Sequence, residues 1–326
     1  MRKVRKQFFL YTKVLPLLVL SLLLLVGCGA EKNMKKAEKF MAIGEYYDAA
    51  SQYKQAYSKT PPKERDRRGL IAGKMAVCYR KINSTPKAVA AYRNMVRYNK
   101  ATVDDRLELG RQLLKNGDYK QAAEQFRVVL DSMPDNVLAR NGLLSAQQAP
   151  VWKKQGSRYT VKRMDVFNSR RAEYSPMLSG DQFDQLYFTS TRNDATGDEQ
   201  SGITGTKNGD IFVSQKDDKG KWSKPEVVNG GLNTEADEGA SCLSPDQREM
   251  YLTQCVTDPS YPRYAQIVKS NRSDAAWGKA SSVELTKDTL SCFAHPAVSP
   301  DGQWLYFVSD MPGGKGGLDI WRPAAG

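Results

Sequence analysis

Histidine is almost missing from this sequence: His295 stands alone among 326 residues. Its scarcity removes metal centres built on several imidazoles and leaves a Ser-His-Asp enzyme a single candidate base. Cysteine is scarce too, with five in the chain, so a disulfide-dense secreted scaffold is excluded. Mean hydropathy is −0.58, which excludes a polytopic membrane protein. At 40% hydrophobic residues the chain is too apolar to be disordered throughout. The balance leans towards a binding protein, and the length suggests two domains of roughly 100–200 residues.

The segment 1–27 reads as an address. Arg2, Lys3, Arg5, Lys6 and Lys13 precede the apolar run Val14–Val26, the order of a secretory signal. The run is short for a spanning helix, which needs about 20 apolar residues. An uncleaved anchor with an incidental cysteine is the alternative. The end of the run, Leu25-Val26-Gly27-Cys28, resembles a bacterial lipobox. That resemblance implies cleavage after Gly27 and lipidation of Cys28, whose several acyl chains give stable membrane anchoring. Gly29 follows the cysteine where an Asp would retain the protein at the inner membrane. No acidic run over 29–33 marks export to the surface. The expected location is the outer membrane, facing the periplasm.

Beyond the address, residues 28–150 are strongly basic and 151–326 slightly acidic. Two modules with different surfaces follow from that asymmetry. In 28–150 a triplet recurs at i, i+4, i+7: Ala49/Tyr53/Ala56, Ala88/Tyr92/Met95 and Ala122/Phe126/Val129. Each triplet makes one stripe on a helix. Preceding helices show in Met75-Ala76 with Tyr79 and in Leu109-Gly110 with Leu113, and a last helix is expected over about 136–148. The pattern resembles the tetratricopeptide repeat, whose period is 34 residues. Ala88 to Ala122 matches it, whereas Ala49 to Ala88 is five longer, which points to a longer loop over Thr60–Arg68. The alternative is an ordinary helical bundle. The resemblance implies a groove that binds peptides or partner proteins, with Arg80 and Arg111 facing it. The basic charge also suits anionic lipid head groups; nucleic acid is excluded as a partner by export.

From Val151 the texture becomes Ser, Thr, Gly, Asp and aromatics. Tyr174–Asp181, Ala240–Asp246 and Pro296–Gly302 are each followed by an apolar-aromatic strand, which reads as a hairpin. Third strands follow at Asp210–Val213, Gln266–Val268 and Asp319–Trp321, and fourth strands are expected at Trp222–Pro225 and Trp277–Ala280. Units of four strands at a fixed long period read as β-propeller blades. The Ser-Pro-Asp hairpins and Gly313–Trp321 resemble the WD40-like repeat of TolB and its relatives. The whole order resembles the PorE-like lipoproteins of the type IX secretion system, a tetratricopeptide array and a propeller followed by an OmpA-like domain. The expected fold is therefore multidomain, α then all-β: signal 1–27, helical solenoid 28–150, and an incomplete propeller of about three blades over 151–326. In that family the protein is a periplasmic scaffold holding secretion-complex proteins. Its peptidoglycan contact belongs to the OmpA-like domain, which is missing from these residues, so the chain reads as truncated.

Catalytic and metal motifs are thin. Ser299-Pro300-Asp301-Gly302-Gln303-Trp304 places its Gly and Trp too early for a sialidase Asp-box, and the glycines around Lys315 lack P-loop spacing. His295 opens a strand, and a lone histidine there reads as structural. The loop Arg192–Glu199 has the oxygens for Ca²⁺ without EF-type spacing. Cys78 reads as a small core residue, and Cys255 with Cys292 is the candidate disulfide. No catalytic residue, metal or cofactor is expected. The leading function is a non-enzymatic scaffold; the alternative is a glycan-binding or hydrolytic propeller with the helices as adaptor.

Overall fold

The computed structural model describes residues 29–196, 200–256, 264–274, 276–288 and 290–323. The chain divides into two compact units, Met1–Thr160 with Gly202–Thr204, and Val161–Ser201 with Gly205–Gly326.

The first unit is helical. Helix α1 covers 29–42. It is followed by α2 (Tyr46–Lys59), α3 (Arg65–Lys81), α4 (Thr85–Arg97), α5 (Val103–Lys115), α6 (Tyr119–Ser132) and α7 (Val137–Gln155). The nine residues of the three triplets are all buried in one core. Consecutive helices form hairpins, α1 with α2, α3 with α4 and α5 with α6, and α7 closes the stack as in a tetratricopeptide array. Local chemistry fixes the ends: Thr102 and Asp105 form a reciprocal capping box on α5, and Asn136 caps α7 through the Ala139 N–H.

Two details differ from expectation. The five extra residues of the first period do not lengthen a loop, because the stretches before α3 and α5 are equally long, 60–64 and 98–102. They lengthen the helices instead, and Arg65–Arg68 form the opening turn of α3. Arg68 holds that turn in place by donating to the carbonyls of Thr60 (2.7 Å) and Tyr57 (3.3 Å). The last helix also runs past 148 and past Pro150. Proline removes one backbone donor but its fixed φ suits a helix, and Gly156, at φ +70°, marks the end.

The second unit holds three antiparallel sheets. Sheet 1 orders β1 (Glu173–Ser179), β2 (Gln185–Ser190), β3 (Asp210–Gln215) and β4 (Glu226–Val227). Sheet 2 orders β5 (Asp237–Leu243), β6 (Glu249–Val256), β7 (Tyr264–Ser273) and β8 (Ala276–Trp277), with β9 (Ser281–Ser282) also on β7. Sheet 3 orders β10 (Phe293–Val298), β11 (Leu305–Ser309) and β12 (Asp319–Trp321). The expected fourth strand of sheet 1 is displaced from Trp222, which bridges Lys216, to β4, whereas in sheet 2 Trp277 lies in the fourth strand β8, opposite Arg272, and β9 is a further short partner of β7.

Alternation along the strands explains how the sheets stack. On β6, Met250 and Leu252 join Tyr187 and Ile211 of sheet 1, while Tyr251 joins Phe293, Leu305 and Phe307 of sheet 3. Sheet 2 is thus covered on both faces. A bulge recurs in each first strand, at Ser175, Ala240 and His295, all with φ near +50°. The last two send their N–H groups to Thr189 and Thr253 of the preceding sheet, at 3.2 and 2.8 Å. The isolated histidine is therefore an exposed bulge residue. On the outer side of sheet 3, Ile320 is 78% exposed. Among the described residues the stack stays open and no ring closes.

Candidate functional site

The most developed surface lies on α1, α3 and α5, the first helix of each hairpin. Residues three or four apart share a helical face, so α3 presents Arg67, Leu70, Lys74, Val77 and Lys81 together, and α5 presents Asp104, Glu108, Arg111 and Lys115. Ion pairs cross between neighbours. Arg67 meets Glu31 at 2.9 Å and Lys74 meets Glu38 at 3.1 Å, tying α3 to α1. Arg80 of α3 meets Glu108 of α5 at 3.6 Å, and Arg111 meets the same carboxylate at 2.7 Å. Such half-exposed pairs contribute about 0–1 kcal/mol each and add little to stability. Leu70, 56% exposed, stands between the two pairs of α3.

The structure thus brings Arg80 and Arg111 together, on one acid. Arg80 also reaches inward: burial pushes the Tyr92 phenol up, and the Arg80 guanidinium partly offsets this. The sequence reading missed Glu108, Arg67, Leu70 and Lys74. Their signal was present as i, i+3, i+4 spacing on the first helices, but attention rested on the aromatic triplets of the second ones.

The remaining candidates fall elsewhere. Cys28 lies outside the described residues. Cys255 lies near the end of β6 opposite Asp237, and Cys292 precedes β10 and donates its N–H to Asp310 at 2.8 Å. Cys78 packs in the helical core, where burial pushes its thiol up to about 11.

The Ca²⁺ reading of the loop from Arg192 meets a competitor. The Lys207 ammonium donates to the carbonyls of Asn193 (3.1 Å) and Ala195 (3.0 Å), occupying inward-facing oxygens with a cation the chain carries itself. Asp301 and Asp246 are likewise taken up. Each carboxylate bonds the serine of its own hairpin and a following backbone N–H, and those bonds hold it below the usual carboxylate range. Asp210, Asp237 and Glu238 lie where sheet 1 meets sheet 2, and burial raises all three. Asp237 accepts from the Gly209 N–H at 2.7 Å, which ties the two sheets, and Glu238 accepts from Thr234 and Gln254 beside its own strand.

No protein-family model matches the chain, and no curated protein does. Solved structures similar to it include tetratricopeptide domains. The C-terminal domain of an FK506-binding protein from Plasmodium falciparum is 19% identical, covering 40% of this chain and 94% of that one, with a TM-score of 0.34. The Sgt2 domain from Aspergillus fumigatus is 18% identical over 43% of this chain and 91% of that one, at a TM-score of 0.32. The second such domain of human RPAP3, solved with an HSP70 peptide, is 17% identical over 38% and 98%, at 0.31.

Proposed function

We propose that the protein is a non-enzymatic scaffold whose helical unit holds partner proteins on the face of α1, α3 and α5. The observation that carries this reading is the ladder of cross-helix ion pairs with Leu70 exposed among them. A face with fixed charges around an apolar anchor is the composition of a protein interface.

We further propose that the chain works at the outer membrane, facing the periplasm, as a lipoprotein anchored through Cys28 and a component of the type IX secretion machinery. The lipobox and the order of modules in the sequence support this. Three successive antiparallel meanders, each with a bulged first strand, support the reading of the second unit as WD40-like propeller blades.

Affinity purification from detergent-solubilised envelope tests the proposal. The native chain should recover outer-membrane secretion proteins. An Arg67→Glu/Lys74→Glu variant with unchanged melting should lose them, and Cys28→Ser should move the protein to the soluble fraction. Equal recovery by the charge-reversed variant, or a Cys28→Ser protein that stays with the membrane, overturns the corresponding half.

A further inference from the structure

Beside sheet 1 a cavity of about 730 Å³ is lined by residues of 165–171, by Arg192, Asn193 and Asp194, and by Lys224. Its most buried lining residue is Arg192, 7% exposed. The guanidinium is fixed on several sides. Nε donates to Ser190 Oγ at 2.9 Å, and Nη2 donates to the Phe167 carbonyl at 2.7 Å and lies 3.5 Å from Glu173. The group lies 5.2 and 4.7 Å from the ring centres of Phe188 and Phe212. Among the described residues, no hydrogen bond engages the remaining nitrogen, Nη1. Exposed Arg170, Arg171 and Lys224 add three cations to the lining, Arg171 lying 3.5 Å from the Asn193 side-chain oxygen.

Glu173 is capped by the hydroxyl and N–H of Ser169, and Glu238 of sheet 2 is capped in the same way by Thr234. The paired residue on the next strand also bonds each glutamate, Ser190 at 3.1 Å in sheet 1 and Gln254 at 2.9 Å in sheet 2. Arg192 is thus a further cation at this junction of sheet 1, beyond the neutral partners that the two sheets share. A guanidinium held rigid with one nitrogen unused can give a charge-assisted hydrogen bond to one oxygen of a carboxylate or phosphate. Asp165 and Asp194 also line the cavity, and they disfavour a compact dianion. Together with Asn168 and Asn193 they offer acceptors to the N–H groups of a peptide.

We propose that this cavity binds an acidic peptide segment, with one carboxylate on Nη1 of Arg192 and flanking carboxylates on Arg170, Arg171 and Lys224. The site is separate from the helical face and stands or falls without it. Fluorescence anisotropy with a fluorescein-labelled pentaglutamate peptide and the full chain tests it, pentaglutamine being the control. Pentaglutamate should bind and pentaglutamine should not. Arg170→Ala/Arg171→Ala, two exposed positions whose loss leaves melting unchanged, should weaken binding tenfold or more. Arg192→Lys, which keeps the charge and loses the fork, should weaken it similarly, whereas Arg67→Ala/Lys74→Ala on the helical face should leave it unchanged. Wild-type affinity in the Arg170/Arg171 variant overturns the proposal. So does displacement of the peptide by inorganic phosphate at constant ionic strength, which would make the cavity a general anion hole.

Discussion

Phe126 lies between two backbones. A Cβ added at Gly110 of α5 or Gly142 of α7 would stand 2.7 or 2.4 Å from its ring, so both glycines are there to let the ring in. Phe126→Ala should cost about 3–5 kcal/mol, and Gly142→Ala about 1–3 kcal/mol through overpacking, both read by denaturant unfolding. Tyr98 behaves differently. Its exposed hydroxyl meets those of Tyr57 and the guanidinium groups of Arg68 and Arg97. The Tyr57 bond, then the Arg68 bond, lower it to about 8. An alkaline titration of phenolate absorbance should show one step near that pH, and Tyr98→Phe should remove it; an unchanged curve would refute the assignment. Asp210 has the opposite shift, raised by burial, with one oxygen bonded to Thr196 N–H and the other without a hydrogen-bond partner. A raised carboxylate adds stability that is full below its unfolded value near 4 and is lost as pH rises through the folded value. Asp210→Asn should therefore raise the melting temperature at neutral pH and flatten its dependence on acidification.

At the scale of the element, helices and strands were legible to different depths. The triplets Ala49/Tyr53/Ala56, Ala88/Tyr92/Met95 and Ala122/Phe126/Val129 mark buried stripes, and burial is what forces their period. The sequence reading did not name α1, whose fully buried apolar positions are the small Ala30 and Ala37, with Phe40 only partly buried against the core. The displaced fourth strand of sheet 1 has a physical cause as well. Trp222 packs on Phe167 at 5.4 Å and Trp277 on Tyr187 at 6.4 Å. Ring packing thus holds both tryptophans; in sheet 1 the strand pairing falls to the inconspicuous Glu226–Val227, whereas Trp277 is itself paired with Arg272. Arg80 and Arg111 were legible as surface cations, but their meeting on Glu108 depends on how α3 lies against α5, which spacing along one helix does not encode. The bulge bonds give a test at this scale. Thr253→Val removes the acceptor for the part-buried His295 N–H, at about 1 kcal/mol, whereas Ser241→Ala should cost little because its hydroxyl has no hydrogen-bond partner.

For the whole molecule, two units of opposite character follow from the charge asymmetry and the change of period near residue 150. The stretch from Gly156 to Ala172 is largely exposed and lies outside the helices and strands, with Lys162 and Arg163 at its centre. Limited trypsin digestion should cut there first and leave a helical and a strand-rich fragment, each resistant; rapid loss of either would refute its independence. The central claim concerns the first-helix face. A photo-crosslinking amino acid in place of Leu70, at the middle of the ion-pair ladder, measures it in living cells. Crosslinks to outer-membrane secretion proteins that vanish when Arg67 and Lys74 are reversed to Glu are the expected result. A Leu70 position that crosslinks to nothing, while a position on the far side of α4 such as Arg93 does, would show that partners are held elsewhere.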